Sequence, residues 1–177
     1  MFKKRFYIFA IISVCIIAAD RVVKWIVRTN LDLNHSIDVL GDLLKISYIL
    51  NSGIAFGLFD PNPSPLKTPL LLIIQFIALG VILYIFFTIP RDVKLAPVSM
   101  GLIFGGAIGN IIDRILRGEV VDFIDLDFPD ISILFLNIRM SRWPTFNIAD
   151  ASVFVGIVML LIIIIKIGGI AESTESA

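Results

Sequence analysis

Two aspartates carry the chemical interest of this chain. Asp122 sits in Val120-Val121-Asp122-Phe123, and Asp150 closes Phe146-Asn147-Ile148-Ala149-Asp150, each beside a run of hydrophobic sequence. A carboxyl group near hydrocarbon is costly to keep charged, so acids held at such borders point to chemistry or ion movement. Their surroundings differ: apolar neighbours disfavour the charged form of Asp122 if it is buried, whereas a helix start favours the charged form of Asp150. Two carboxyl groups sharing a proton can split a peptide bond. The charged one takes a proton from water while the neutral one polarises the carbonyl and later protonates the leaving amine, the proton belonging to the coupled pair. Taken singly, each has a plainer explanation. Asp122 is followed by Asp125, Asp127 and Asp130 like an ordinary loop acid, and Asn147 with Asp150 has the spacing of a helix cap and its third residue.

Other chemistries are poorly supplied. The chain has one histidine, His35, and one cysteine, Cys15, so Ser-His-Asp and Cys-His catalysis, a His-Glu-x-x-His site and a thiolate metal site lack their residues. No metal and no cofactor is expected. Fifteen basic residues balance fifteen acidic ones, which leaves no basic excess to point to a nucleic acid partner.

The elements that must position the aspartates are membrane helices. Of 177 residues 58% are hydrophobic and 17% charged, with a mean hydropathy of +0.96, far more apolar than a soluble domain. The expected fold is an all-α integral membrane protein with four transmembrane helices and a small β-containing platform on the outer face. Spans are expected at about 6–27, 69–89, 95–115 and 150–171, with outer segments at about 28–68 and 116–149, in one membrane domain over 1–177 that works as a monomer. The first span resembles a signal peptide, but the apolar pattern resumes after Asp20, Arg21 and Lys24 with Val22, Val23, Trp25, Ile26 and Val27, so it is read as retained. Lys3, Lys4 and Arg5 before the first span, and Arg91 and Lys94 between the second and third, place both termini in the cytoplasm. Trp25 and Trp143 fit an aromatic belt at the outer interface.

The outer segments carry their own pattern. Leu44, Ile46, Tyr48 and Leu50 alternate with Lys45, Ser47, Ile49 and Asn51, a strand signal, and Asp60-Pro-Asn-Pro-Ser-Pro65 then forms a turn. Ile124, Leu126 and Phe128 alternate with Asp125 and Asp127, predicting a short strand right after Asp122. Within the helices, Asp20 and Lys24 share a face as an ion pair with the acid first. Gly101, Gly105 and Gly109 form a small-residue stripe for close helix packing, leading to Asn110, Asp113 and Arg114, which project together. Asp113 beside Arg114 reads as a helix-end ion pair.

Five segments together resemble one family, the lipoprotein signal peptidases (signal peptidase II), bacterial intramembrane aspartic peptidases. They are Asp20-x-x-x-Lys24, Asn51-Ser52-Gly53-Ile54-Ala55-Phe56, the run from Gly105 to Arg114 containing Gly109, Asn110 and Asp113, Val120-Val121-Asp122-Phe123, and Phe146-Asn147-Ile148-Ala149-Asp150. The resemblance covers almost the whole chain, and its specificity lies in five motifs in order on four spans. It implies a prolipoprotein substrate whose cysteine already carries a diacylglyceryl group, cut just before that cysteine at the outer face of the bacterial cytoplasmic membrane, with membrane lipids as the other partner. It further implies Asp122 and Asp150 as the catalytic dyad, Asn51, Gly53, Asn110, Arg114 and Asn147 as groups that position the dyad or the lipopeptide, and Asp20, Lys24 and Asp113 as structural support. The stretch from Asp122 to Asp150, including Asp130 to Arg142, is longer than usual for the family. A proton- or ion-coupled transporter and a non-catalytic assembly factor packed through the glycines are the competing readings. The gathering of Asp20, Asp113, Asp122 and Asp150 at one end of the spans favours interfacial chemistry over a relay across the membrane.

Overall fold

The computed structural model describes residues 2–53, 66–127, 131–133, 138–140 and 142–175, with backbone only over 131–133, 138–140 and 168–175. Among the described residues four helices are long and apolar enough to cross a membrane: α1 (Phe2–Asn30), α2 (Lys67–Thr88), α3 (Ala96–Arg117) and α4 (Ile148–Glu175), the last over Ile148–Ile167. At about 1.5 Å per residue, the 22 residues of α2 reach about 33 Å, enough for a hydrocarbon core of about 30 Å. The chain is a multi-pass membrane protein with the four expected spans. Helix α1 runs past both expected ends because Lys3, Lys4 and Arg5 at one end and Arg28 at the other are good helix formers. A charge marks where lipid stops, not where a helix stops.

One compact unit comprises Met1–Ala19, Ile73–Ile111 and Ile148–Ala177. Its core joins Phe9 of α1, Ile82 and Phe86 of α2, Met100 and Ile103 of α3, and Leu160 and Ile163 of α4. The Phe9 ring lies 4.8 Å from Phe86 and 5.2 Å from Phe104, centroid to centroid, inside the favourable range for aromatic pairs. Since lipid is as apolar as leucine, helices in a bilayer associate through close packing and hydrogen bonds. Both are present. A Cβ on Gly101 would stand 3.0 Å from the Phe9 carbonyl, and one on Gly105 would stand 2.9 Å from that of Ser13. The Ser13 hydroxyl donates to the carbonyls of Phe9 at 2.9 Å and Gly101 at 3.2 Å. Gly101 and Gly105 of the expected stripe thus serve α1. Toward α4 the close approach falls on Gly106, off the stripe, and on Gly156, whose carbonyl accepts from Ser99 at 3.0 Å.

The second unit comprises Asp20–Leu72 and Ile112–Asn147. It holds an antiparallel sheet in the order β1 (Ser36–Leu40), β2 (Leu44–Asn51), β3 (Val120–Leu126). β1 pairs Ser36 with Ser47, and β3 pairs Asp125 with Lys45, Asp122 with Ile49 and Val120 with Asn51. β2 matches its expectation. β3 begins at Val120, before Asp122, because Val120, Val121 and Phe123 are all buried and leave no alternation to mark the start. β1 was not signalled by the sequence: all five of its residues are exposed, and among the described residues it pairs with β2 alone, forming the sheet edge. On the far side of β3, Ile124 and Phe146 exchange backbone hydrogen bonds at 2.8 and 3.0 Å.

A short antiparallel pair, β4 (Ile131–Ile133) and β5 (Ile138–Met140), occupies part of the long stretch between the two aspartates. Its apolar run Ile-Ser-Ile-Leu-Phe-Leu lacks sustained alternation, so no strand was expected there. The expected Asp60–Pro65 turn, Ile54, Ala55, Phe56, Phe128 and Asp130 lie outside the described residues. Between α3 and β3 the chain turns at Gly118, with φ at 79° and its N–H donating to the Arg114 carbonyl at 2.9 Å. That left-handed helix end suits glycine, and it delivers the chain to β3 two residues later.

Candidate functional site

Asp122 is held by amides. It is buried on β3, where its Oδ2 accepts from the Asn51 side chain at 2.8 Å and its Oδ1 from that of Asn147 at 2.7 Å. Asn51 is the last residue of β2, and Asn147 immediately precedes α4. Each amide is itself oriented. The Asn51 Oδ1 accepts the Gly53 N–H at 2.8 Å, the Gly53 carbonyl accepts from Arg114 Nη2 at 3.1 Å, and the Asn147 Nδ2 also reaches the Val121 carbonyl at 3.3 Å. A line of contacts therefore runs from the last turn of α3 through Gly53 and Asn51 to the Asp122 carboxyl group. With one side-chain donor on each of its oxygens, the Asp122 carboxyl plane is fixed.

Asp150 lies in the other unit, in the first turn of α4, and is half-buried. Its Oδ1 accepts from Asn110 Nδ2 of α3 at 2.7 Å. The Ser152 hydroxyl donates to the Ala149 carbonyl at 2.8 Å, and Ala149 is buried where a Cβ on Gly106 would stand only 2.3 Å from its oxygen. The Asn110 contact thus depends on α3 and α4 packing almost backbone to backbone. Asn147 occupies the position before α4 and Asp150 its third residue, the spacing expected of a cap.

Asp20, Lys24 and Asp113 form a fully buried ionic group. Lys24 Nζ lies 2.8 Å from Asp20 and 2.9 Å from Asp113, and Asp113 Oδ1 is also met by Arg117 at 2.8 Å and by Arg21. The expected Asp20–Lys24 pair is present and faces protein. Arg114 had been the expected partner of Asp113; Asp113 takes ion pairs from Arg21, Lys24 and Arg117, while Arg114 serves Gly53. Asn110, Asp113 and Arg114 therefore share a helix but serve separate partners. Arg117 was open to discovery from its spacing, four residues after an acid. Arg21 carried no such signal, because its partner is remote in sequence.

Two further cations brace the sheet. Arg142 donates from Nε to Asp125 at 3.0 Å and from Nη2 to the Asp42 carbonyl at 3.2 Å, and its Nη1 lies 3.4 Å from Asp127. The Trp143 N–H donates to the Leu126 carbonyl at 3.0 Å. Arg142 and Trp143 thus meet the sheet at Asp125, Leu126 and Asp127. Lys45 lies 2.8 Å from Asp42 and 3.3 Å from Asp38. The hydrogen bond from Lys45, followed by its charge, holds the Asp42 carboxyl below the usual carboxylate value. Among the described residues no three of His, Cys, Asp or Glu are grouped as metal ligands.

Comparison with known proteins adds to this geometry. The sequence model for signal peptidase (SPase) II matches residues 12–166. A lipoprotein signal peptidase of Geobacter metallireducens is 33% identical over 164 residues, 93% of this chain and 94% of its own. One of Shouchella clausii is 36% identical over 152 residues, 86% of this chain and 89% of its own. Among solved structures, a bacterial membrane enzyme determined in meso at 2.3 Å resolution is 33% identical with a TM-score of 0.75, covering 89% of this chain and 87% of its own. A second, at 1.9 Å resolution, has a TM-score of 0.73 and the same identity, with 89% and 92% covered.

Proposed function

The chain belongs to the signal peptidase II family, and on that premise we propose that it removes signal peptides from diacylglyceryl-modified prolipoproteins, cutting just before the lipidated cysteine. Asp122 and Asp150 share the proton that runs the reaction. One carboxylate takes a proton from water as the water attacks the scissile carbonyl; the neutral partner stabilises the developing oxyanion and then protonates the leaving amine. No covalent intermediate forms. The observation that carries this reading is that both oxygens of buried Asp122 accept side-chain amide hydrogen bonds, from Asn51 and Asn147, so residues of two other family-like motifs converge on its carboxyl group. Asn110 does the same for Asp150. Such preset donors lower the reorganisation needed when charge moves.

Under this proposal Asn51, Gly53, Asn110, Arg114 and Asn147 position the dyad or the lipopeptide, and Asp20, Lys24 and Asp113 support the frame. The chain sits in the bacterial cytoplasmic membrane with both termini inside and its chemistry at the outer face, as the basic residues at Lys3, Lys4, Arg5, Arg91 and Lys94 favour. The test is to follow conversion of a diacylglyceryl-modified precursor on a gel with Asp122→Asn, Asp150→Asn and Asp113→Asn. The first two abolish cleavage while the protein still inserts. Cleavage that persists in Asp122→Asn refutes the dyad, and loss confined to Asp113→Asn moves the chemistry there.

A further inference from the structure

Arg5 is a buried cation at the opposite end of α1 from the ionic group, and the proposed peptidase reaction makes no use of it. It is 7% exposed. Its Nη1 donates to the carbonyls of Pro90 at 3.3 Å and Ile89 at 3.5 Å, just beyond the end of α2, and its Cζ lies 5.6 Å from the centre of the Phe86 ring. Those contacts use one corner of the guanidinium and one of its faces. Nε and Nη2 are buried and have no hydrogen-bond partner among the described residues. These two nitrogens form the edge whose parallel N–H groups match two oxygens of a phosphate or carboxylate. A buried donor left without a partner is costly, and here two are left on one charged group.

The surroundings are basic. Arg91 lies 5.9 Å from the centre of the Phe2 ring, which in turn stacks on Phe87 at 6.3 Å. Lys3, Lys4 and Lys94 are exposed in the same segments, with Asp92 the acid among them. Membrane orientation alone accounts for exposed lysines at a helix end. It does not account for an arginine buried with its bidentate edge unmatched.

We propose that this end of α1 and α2 binds a phosphate oxyanion, taken by the Nε and Nη2 edge of Arg5 and favoured by Arg91 and the flanking lysines. Its position at the ends of two spans makes the headgroup of an anionic phospholipid the source, consistent with basic pockets between membrane helices that hold such headgroups. The site is separate from the proposed dyad and stands whether or not the peptidase reading does.

The test uses the full chain in zwitterionic detergent, with phosphatidylglycerol, phosphatidylcholine or inorganic phosphate added. Bound lipid is counted by native mass spectrometry, and the thermal midpoint is followed in parallel. Wild type retains phosphatidylglycerol in preference to phosphatidylcholine and melts higher with it. Arg5→Lys, which keeps the charge and loses the edge, binds about tenfold more weakly and loses the thermal shift; Arg5→Gln does the same if it folds. Lys3→Gln with Lys4→Gln weakens binding less than Arg5→Lys does. Arg5→Lys binding as wild type overturns the site. An equal shift with inorganic phosphate keeps the oxyanion site and assigns it to the free anion.

Discussion

Gly106→Ala should disable the proposed peptidase without touching any acid. The added Cβ would stand 2.3 Å from the Ala149 carbonyl oxygen, 2.6 Å from the Ser152 hydroxyl and 2.8 Å from Val153 Cγ2. Ordinary contact begins at 3.4 Å, so the carbonyl must retreat by about 1 Å, and a backbone atom cannot rotate away as a side chain can. Ala149 is bonded to Asp150, so the retreat moves the proposed acid. A 2.7 Å bond from Asn110 stretched by about 1 Å passes out of hydrogen-bond range. Overpacking of this size costs about 1–3 kcal/mol of stability, and a 1 Å misplacement of a catalytic group costs about 100-fold in rate. Gly80→Ala is the control, because its Cβ meets nothing within 4 Å. Cleavage of lipid-modified precursor at substrate saturation, with thermal unfolding of the same samples, reads both effects. If Gly106→Ala cleaves and melts like Gly80→Ala, the dependence of Asp150 on the α3–α4 contact is refuted.

Lys24→Met removes a counter-charge from two buried carboxylates at once, so a loss of about 3–5 kcal/mol is expected in thermal or chaotrope unfolding, with partial recovery when Asp20→Asn is added. Asn147→Ala withdraws one donor from Asp122; at about 1.5–3 kcal/mol for a hydrogen bond to a charged group, turnover should fall about 10- to 100-fold while insertion is kept. Asp42 should titrate below 3.8 by carboxyl NMR, and its titration should move up in Lys45→Gln. Since its native value is depressed, the contribution of the Asp42–Lys45 pair to the β1–β2 turn is complete above 3.8 and is lost as pH falls through the native value.

The helices were legible because a bilayer asks for a long apolar run, and the four runs are nearly free of charge. The alternation from Leu44 to Asn51 was legible from its period of two in residue type, although burial along β2 is nearly uniform, with Ser47 buried and its neighbours half-buried. β3 was misplaced by its first residues because Val120 to Phe123 is enclosed on both faces, and β1 was missed because it is enclosed on neither. The contacts within the site were legible only in part. Asp20 and Lys24 meet along one helix, so spacing foretold them, whereas Asn51, Asn147 and Arg114 reach their partners through tertiary structure, and only the family resemblance gave them a role beside Asp122. Gly106 hid beside a regular stripe of other glycines, because spacing shows which residues share a helix face and not which neighbour that face meets.

The open edge of β1 has a consequence for how the protein behaves once it leaves the bilayer. An exposed strand offers unpaired N–H and C=O groups to any other chain, and a second β1 is the most abundant candidate in a concentrated sample. Two features interrupt such a ladder: the register shift between Asp38 and Leu40, and the carboxylate of Asp38, which would face its own copy in a self-paired edge. Asp38 and Asp42, both paired with Lys45, therefore do more than hold a turn. They act as guards against self-association, and a variant that made this hairpin regular and apolar would be expected to assemble edge to edge.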